Sequence, residues 1–411
     1  MSTIVIDQAG DQVIRVSVVE IIKSEQGTTK CVKEAATFQL SREILTQSSN
    51  WFKETLQPYA FKEGFQSQLN IEADSTEAFE IWFRIIHGQD ATTNVDLKVV
   101  WMIILIADKY DFAIDVMNSW FDQWYERQPI DRWLREWAPG ATYQDLTKDP
   151  RCLLLPSWRF DNAGAFLRIT RFLVYNCAFH VTEANPIGAW QLHMPSRVIR
   201  ECPILDVHTD HSIRLTIIVE QLNAARGRLK TIVFNPLYAP IKSVLQVNTR
   251  CCDRTQGDYQ RALIATKAWP LEELGQKNSM QRLLNRLGSF RYNASEMGCM
   301  KCKQDYEAVV RGVVQNAQGY FDGLCLDCMN ASKAKTENSD TDYWEHDRLT
   351  EKDWIKGCRV RRHKQPTWYF SFMGRREERD RVRKEKPKQQ NESRNGTPGS
   401  PEPSSWTLNE S

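Results

Sequence analysis

Apolar residues recur at steps of three and four through three successive segments in the first third of the chain. This spacing predicts three short amphipathic helices. Their apolar members are Phe79, Trp82, Phe83 and Ile86 in the first, Val100, Trp101, Ile104 and Leu105 in the second, and Val116, Trp120, Phe121 and Trp124 in the third. Asp74 with Glu77 predicts a capping box before the first helix, and Gly88 predicts its end. Helices this short are not stable alone in water, so we expect the three to share one core.

Upstream of these helices, apolar and polar residues alternate with the period of a strand. The alternation from Val13 to Ile22 predicts a half-buried strand. The segment Lys23–Lys30, which contains Gly27, predicts a turn, and Cys31–Leu40 is expected to pair back against the first strand. These segments together predict an antiparallel hairpin.

Two short helices and another strand are predicted between this hairpin and the three helices. Ser41 predicts the cap of the first helix, and the second is expected from Asn50 to Leu56. Residues Gln66–Ile71 predict the strand. This element order, with the residues of four segments, resembles a BTB (POZ) domain of the kind found in many fungal proteins. The segments that carry the resemblance are Phe38–Phe52, Phe61–Gly64, Ala78–Gly88 and Ala107–Phe112.

The resemblance implies a BTB/POZ fold over residues 1–127, a compact module whose usual work is protein–protein association, often by homodimerisation. A protein partner is therefore expected, and a homo-oligomer stays open. Dimer-forming animal members commonly carry an acidic residue and a histidine near this position, where the present chain has Gln39 and Ser41. That departure weakens both the dimer and the cullin ubiquitin-ligase adaptor as expectations.

The rest of the chain predicts an overall α+β protein whose C-terminal region is mostly helical. Residues 128–150 are expected to be a linker, because Pro129, Pro139 and Pro150 interrupt it. A helical domain is expected over 151–295. Its predicted helices are Ala163–His180, His211–Phe234, Pro236–Leu245, Tyr259–Ala268 and Leu271–Leu287. A Cys-rich unit is expected over 296–374, and a basic, then polar, disordered tail over 375–411.

Four cysteines predict a closed structural zinc site. Cys299, Cys302, Cys325 and Cys328 form two C-x2-C pairs separated by residues 303–324. Two thiols at this spacing can point at one centre, and two such pairs complete the tetrahedral set that Zn²⁺ accepts. Free thiols in a helical domain and a redox pair are the alternatives. Cys358 and His363 are a further candidate pair, which we interpret as a packed thiol and a surface imidazole.

Composition limits the location and the partners. The chain has 411 residues, a formal net charge of +2 and no apolar run of the length needed to cross a bilayer. We therefore expect a nuclear or cytoplasmic protein that does not bind membranes, with its 11 cysteines reduced. Arg and Lys are concentrated between Lys356 and Lys388, interleaved with acidic residues. This pattern favours a solvated face over a nuclear-import signal, and an import signal over a DNA contact.

The expected function is that of a non-enzymatic interaction or adaptor protein with a structural zinc site. The chain carries no Gly-rich phosphate loop, no nucleophile elbow and no paired-His helix motif. Two alternatives stay open. One is a chromatin- or transcription-associated factor that binds nucleic acid through the basic C-terminal region, and the other is a cullin-ligase substrate adaptor.

Overall fold

The computed structural model describes residues 3–24, 27–57, 67–136, 150–182, 184–188, 192, 221–246, 250–293, 299–300, 302–327 and 358–360. Within them the chain is a mixed α+β structure, in which one small sheet is followed by helices. The expectations for Phe61–Gly64, Cys328, His363 and the tail at 375–411 lie outside these residues.

One sheet is formed by the strands of the described region. The strands are β1 (Thr3–Val5), β2 (Gln12–Ser24), β3 (Gly27–Leu40) and β4 (Gln68–Ala73), in the spatial order β1-β3-β2-β4. β2 and β3 pair antiparallel, whereas β1 joins β3 and β4 joins β2 in parallel. The predicted hairpin is confirmed, but the turn predicted at Lys23–Lys30 is too wide. Lys23 pairs with Thr28, because the β-branched Thr28 and Thr29 favour extended backbone.

Five α-helices are described between the hairpin and residue 126. They are α1 (Arg42–Ser48), α2 (Asn50–Thr55), α3 (Thr76–Ile86), α4 (Leu97–Lys109) and α5 (Asn118–Glu126), with a 3-10 turn at Ile114–Met117 before α5. The Ser41 hydroxyl accepts a hydrogen bond from the Ile44 amide and caps α1, as expected. The cap of α3 is Ser75 and not Asp74, since the Ser75 hydroxyl accepts from the Ala78 amide at 3.1 Å.

The core of this part lies between the sheet and α3 to α5. Trp82 is fully buried, its ring stacks on Phe112 at 4.7 Å, and its indole nitrogen donates to the Ile103 carbonyl at 2.9 Å. The predicted apolar stripes are mostly buried here, with Ile86 partly exposed and Val116 exposed. Val116 is 46% exposed, because it lies in the 3-10 turn and not on the inner face of α5.

Eight further helices are described after residue 126. They are α6 (Pro129–Glu136), α7 (Leu154–Arg159), α8 (Ala163–Asn176), α9 (Gln221–Leu245), α10 (Arg250–Ala265), α11 (Leu271–Lys277), α12 (Met280–Leu287) and α13 (Tyr306–Gln318). A 3-10 turn at Pro150–Leu153 leads into α7. The expected mostly helical region is confirmed for these residues.

Proline positions explain two differences from the predicted boundaries. The start of the predicted linker is helical, because Pro129 occupies the first position of α6, where its missing N–H has no intrahelical partner in any case. Pro236 was predicted to start a new helix, but it lies inside α9. Val233 and Leu237 beside it are fully buried, so packing holds the helix together there. The predicted helix Leu271–Leu287 is divided at Ser279, which caps α12.

The first helical elements pack directly against the N-terminal part. The rings of Phe121 and Phe160 stack at 4.6 Å, and the Trp101 indole donates to the Cys152 carbonyl at 2.8 Å. Arg168 pairs with the buried carboxylate of Asp131 at 2.7 Å. The division into separate domains stays a prediction. In the described part of the chain, none of the helices has both the length and the apolar character needed to span a membrane.

Candidate metal centres

Three cysteine sulfurs form a compact triangle in the helical region. The Sγ atoms of Cys252 and Cys299 are 3.6 Å apart, those of Cys299 and Cys302 are 3.5 Å apart, and those of Cys302 and Cys252 are 3.7 Å apart. Cys252 and Cys302 are fully buried, and Cys299 is partly exposed. We call this set the cysteine triangle.

The dimensions of the cysteine triangle match one face of a thiolate-bound tetrahedron. A Zn–S bond of about 2.3 Å with tetrahedral angles places the sulfurs about 3.8 Å apart. The observed separations are within a few tenths of an ångström of that value. They are also well beyond the S–S bond length of about 2.0 Å in a disulfide. This group could hold a metal ion.

Two local structures place the three sulfurs. Cys299 and Cys302 belong to a tight turn in which the Cys299 carbonyl accepts hydrogen bonds from the amides of Cys302 at 2.9 Å and Lys303 at 3.1 Å. Cys252 lies in the first turn of α10. A C-x2-C turn and a helix N-terminus therefore meet at one point.

Three tyrosine rings pack together beside the cysteine triangle. The Tyr306 ring lies 4.9 Å from the rings of both Tyr259 and Tyr292. Burial raises the pKa of Tyr306 to about 12, and neighbouring Tyr292 and the three thiols act in the same direction. The Tyr306 hydroxyl consequently stays protonated at neutral pH. Cys252 and Cys302 are themselves buried, and low solvent exposure strengthens electrostatic attraction to a bound cation.

A second group lies at the C-terminal end of the described chain. A ligand atom from each of Cys325, Asp327 and Cys358 lies within 4.8 Å of the other two, so this group could also hold a metal ion. Cys325 is buried, and the other two residues are partly exposed. Arg359 donates to both oxygens of the Asp327 carboxylate.

The cysteines that were predicted as one set are thus divided between two places. Cys299 and Cys302 are brought together, as their spacing indicates, but with Cys252. Cys325 lies with Asp327 and Cys358, and Cys328 lies outside the described residues. Cys252 was missed because it precedes Cys299 by 47 residues, and no local spacing links them.

The number of thiols in the cysteine triangle differs from the number predicted. The prediction of a closed structural zinc site depended on four thiolates that complete the coordination sphere. In the described residues the cysteine triangle supplies three of the four thiols that such a sphere needs.

Comparison with known proteins finds no matching family model, no similar curated protein and no similar solved structure. The structure itself defines a mixed α+β protein with two cysteine-containing groups that could hold a metal ion.

Proposed function

We propose that this protein is a non-enzymatic interaction protein of the BTB type. Its N-terminal α+β part, residues 3–126, binds a protein partner in the nucleus or cytoplasm. A structural zinc ion in the cysteine triangle holds the helical region in the form that presents this part.

The observation that supports the proposal most is the order of elements in the first third of the chain. A hairpin (β2 and β3) is followed by a helix pair, by β4 in the same sheet, and then by α3 to α5. This is the order on which the resemblance to a BTB domain is based. Protein association is the activity that the resemblance implies.

The far end of the β2–β3 hairpin is the surface that we assign to the partner. β4 pairs with Val13–Val18 of β2, and β1 pairs with Thr37–Gln39 of β3. Beyond those residues, in the part of the chain that the structure describes, β2 and β3 pair only with each other. Val32 of this segment is 58% exposed. An open strand edge with an exposed apolar side chain is a ready template for strand addition by another chain.

Zinc is the metal that suits the cysteine triangle best. Thiolates are soft ligands that select zinc, copper(I) and iron–sulfur clusters over hard cations. Zinc needs no redox partner, and its tetrahedral geometry fits the measured sulfur separations. In a compartment that keeps thiols reduced, the free energy of zinc binding becomes folding free energy.

Nucleic-acid binding receives less support than protein binding. Arg359 belongs to the basic segment Lys356–Lys388, which would have to contact the phosphates. Its guanidinium is paired with Asp161 and Asp327. These ion pairs raise the pKa of Arg359 and leave its charge largely neutralised. A phosphate would have to displace two carboxylates to reach this arginine.

Affinity capture with the full-length protein tests the proposal. Val32→Asp places a charge on the hairpin surface, and Val116→Asp makes the same change at an exposed valine elsewhere in the N-terminal part. We expect partners of the wild type to be lost from Val32→Asp and kept by Val116→Asp. Enrichment of no protein above an unrelated bait would overturn the interaction role. Retention of every partner by both variants would overturn the hairpin assignment.

A further inference from the structure

We infer that Cys325, Asp327 and Cys358 form a second zinc site, which fixes the Cys358–Val360 segment to the start of α8. This inference goes beyond the zinc ion of the cysteine triangle and does not depend on it. It assigns a ligand role to two residues, Asp327 and Cys358, that the spacing of the cysteine pairs does not select.

Cys325 is held in place by a buried attachment of its segment to α8. The Leu324 amide donates to the Thr170 hydroxyl at 2.8 Å, and the Phe321 amide donates to the Tyr175 hydroxyl at 3.3 Å. Gly323 has a φ of +109°, and a Cβ there would lie 2.1 Å from the Leu167 carbonyl oxygen. The backbone therefore approaches α8 as closely as a glycine permits, and Cys325 follows directly from this contact.

Cys358 is brought to the same place by its neighbour Arg359. The Arg359 amide and Nε donate to the two oxygens of Asp327 at 2.7 and 2.9 Å. Its guanidinium also donates to both oxygens of Asp161 at 2.8 Å. Asp161 directly precedes Asn162, the N-cap of α8. Residues from three separate stretches of sequence consequently meet at one end of this helix.

The donor set has the chemistry that zinc requires. Two thiols and a carboxylate oxygen lie within 4.8 Å of one another, so a shift of about 1 Å would bring them to the tetrahedral separations of a bound zinc ion. Each carboxylate has about four acceptor positions. Asp327 can therefore accept from Arg359 and still bind a metal.

Most of the negative charge of the site is offset when a divalent ion binds. Two thiolates and one carboxylate carry three negative charges, one more than Zn²⁺ neutralises. Arg359 supplies a positive charge in contact with the carboxylate, which it shares with Asp161, so the group keeps a small net negative charge. Hydrogen bonding of this kind to a ligating carboxylate orients it and tunes its affinity for the metal.

Metal content of the full-length protein, purified under reducing conditions, tests this site. We expect about two zinc ions per chain in the wild type, one for each group. Cys358→Ser should reduce the content by one ion. Asp327→Asn and Asp161→Asn form a matched pair, because each weakens an ion pair of Arg359 but only Asp327 is a ligand. In competition with a chelator, Asp327→Asn should lose one zinc ion at a chelator concentration at least about tenfold lower than the concentration at which Asp161→Asn loses it.

Three results would overturn the inference. The first is a wild type with a single zinc ion that Cys358→Ser retains and Cys252→Ser loses. That ion would then belong to the cysteine triangle, and the second site would bind none. Another is equal metal loss from the two aspartate variants, because the carboxylate would then act only through Arg359. The third is a disulfide between Cys325 and Cys358, found by peptide mapping of the protein purified under reducing conditions. Circular dichroism shows whether each variant is folded, and so separates loss of a ligand from loss of metal through unfolding. If Cys358→Ser fails to fold, the comparison of Asp327→Asn with Asp161→Asn still tests the site.

Discussion

Thr170 is the residue whose substitution tests most sharply how the Cys325 segment is held. Its side chain is fully buried on α8, its hydroxyl donates to the Phe166 carbonyl at 2.7 Å, and it accepts from the Leu324 amide at 2.8 Å. Thr170→Val keeps nearly the same shape and removes both functions. The Leu324 amide would then be buried without its acceptor.

The expected cost follows from that amide. A buried donor that loses its only acceptor costs about 1–3 kcal/mol of unfolding free energy. The extra methyl group offsets part of this cost, since burying one apolar carbon contributes about 0.8 kcal/mol. We therefore expect Thr170→Val to lower the unfolding free energy by roughly 0.2–2 kcal/mol.

Urea denaturation followed by tryptophan fluorescence measures this change as a lower midpoint at an unchanged slope. Thr46→Val is the matched control, because the Thr46 hydroxyl donates to the Glu43 carbonyl at 2.9 Å at an exposed position. That control should stay within about 0.5 kcal/mol of the wild type. Equal stability of the two variants would refute the argument that the Thr170 hydroxyl holds the segment.

Two further predictions concern the N-terminal part. Trp82→Ala should lower the unfolding free energy by about 3–5 kcal/mol, measured by chemical denaturation, because it opens a cavity beside Phe112 and leaves the Ile103 carbonyl without its indole donor. His87 should make stability depend on pH. Burial lowers the pKa of His87, although its bond to the Phe83 carbonyl and the charge of Asp7 oppose the shift. The unfolded chain therefore binds a proton more readily, and stability is lost as the pH falls from the ordinary histidine value of about 6.5 through the lowered pKa.

Controls for these predictions use the same positions. Trp82→Phe keeps a ring in the core and should cost clearly less than Trp82→Ala; equal costs would mean that the stacked ring contributes little. The Ser41 amide donates to His87 Nε2 at 3.1 Å, so the neutral ring is the bonded form. His87→Gln should flatten the decline in unfolding free energy between pH 7.5 and 5.5. An unchanged decline in His87→Gln would show that other groups cause it.

Local patterns were sufficient for much of the fold. The period-two alternation of β2 and the cap at Ser41 need only neighbouring residues, so the hairpin and the helix after it could be predicted. Pro129 was misjudged because the same residue starts a helix or breaks one according to its position.

The metal groups show where prediction from spacing ends. Cys299 and Cys302 are joined by one turn of backbone, and their proximity follows from sequence. The position of Cys252 depends on the packing of α10 against the turn, and that of Cys358 depends on the ion pairs of Arg359. These are tertiary contacts over long chain separations, and no periodicity records them.

The zinc content of full-length Cys252→Ser tests the cysteine triangle most directly. Cys31→Ser is the matched control, because Cys31 is an exposed thiol on β3 far along the chain from the three ligands. Elemental analysis should find about one zinc ion per chain fewer in Cys252→Ser than in the wild type, and no loss in Cys31→Ser. A wild type that is purified without chelators yet carries no zinc, or a Cys252→Ser variant that keeps all of it, would contradict the assignment.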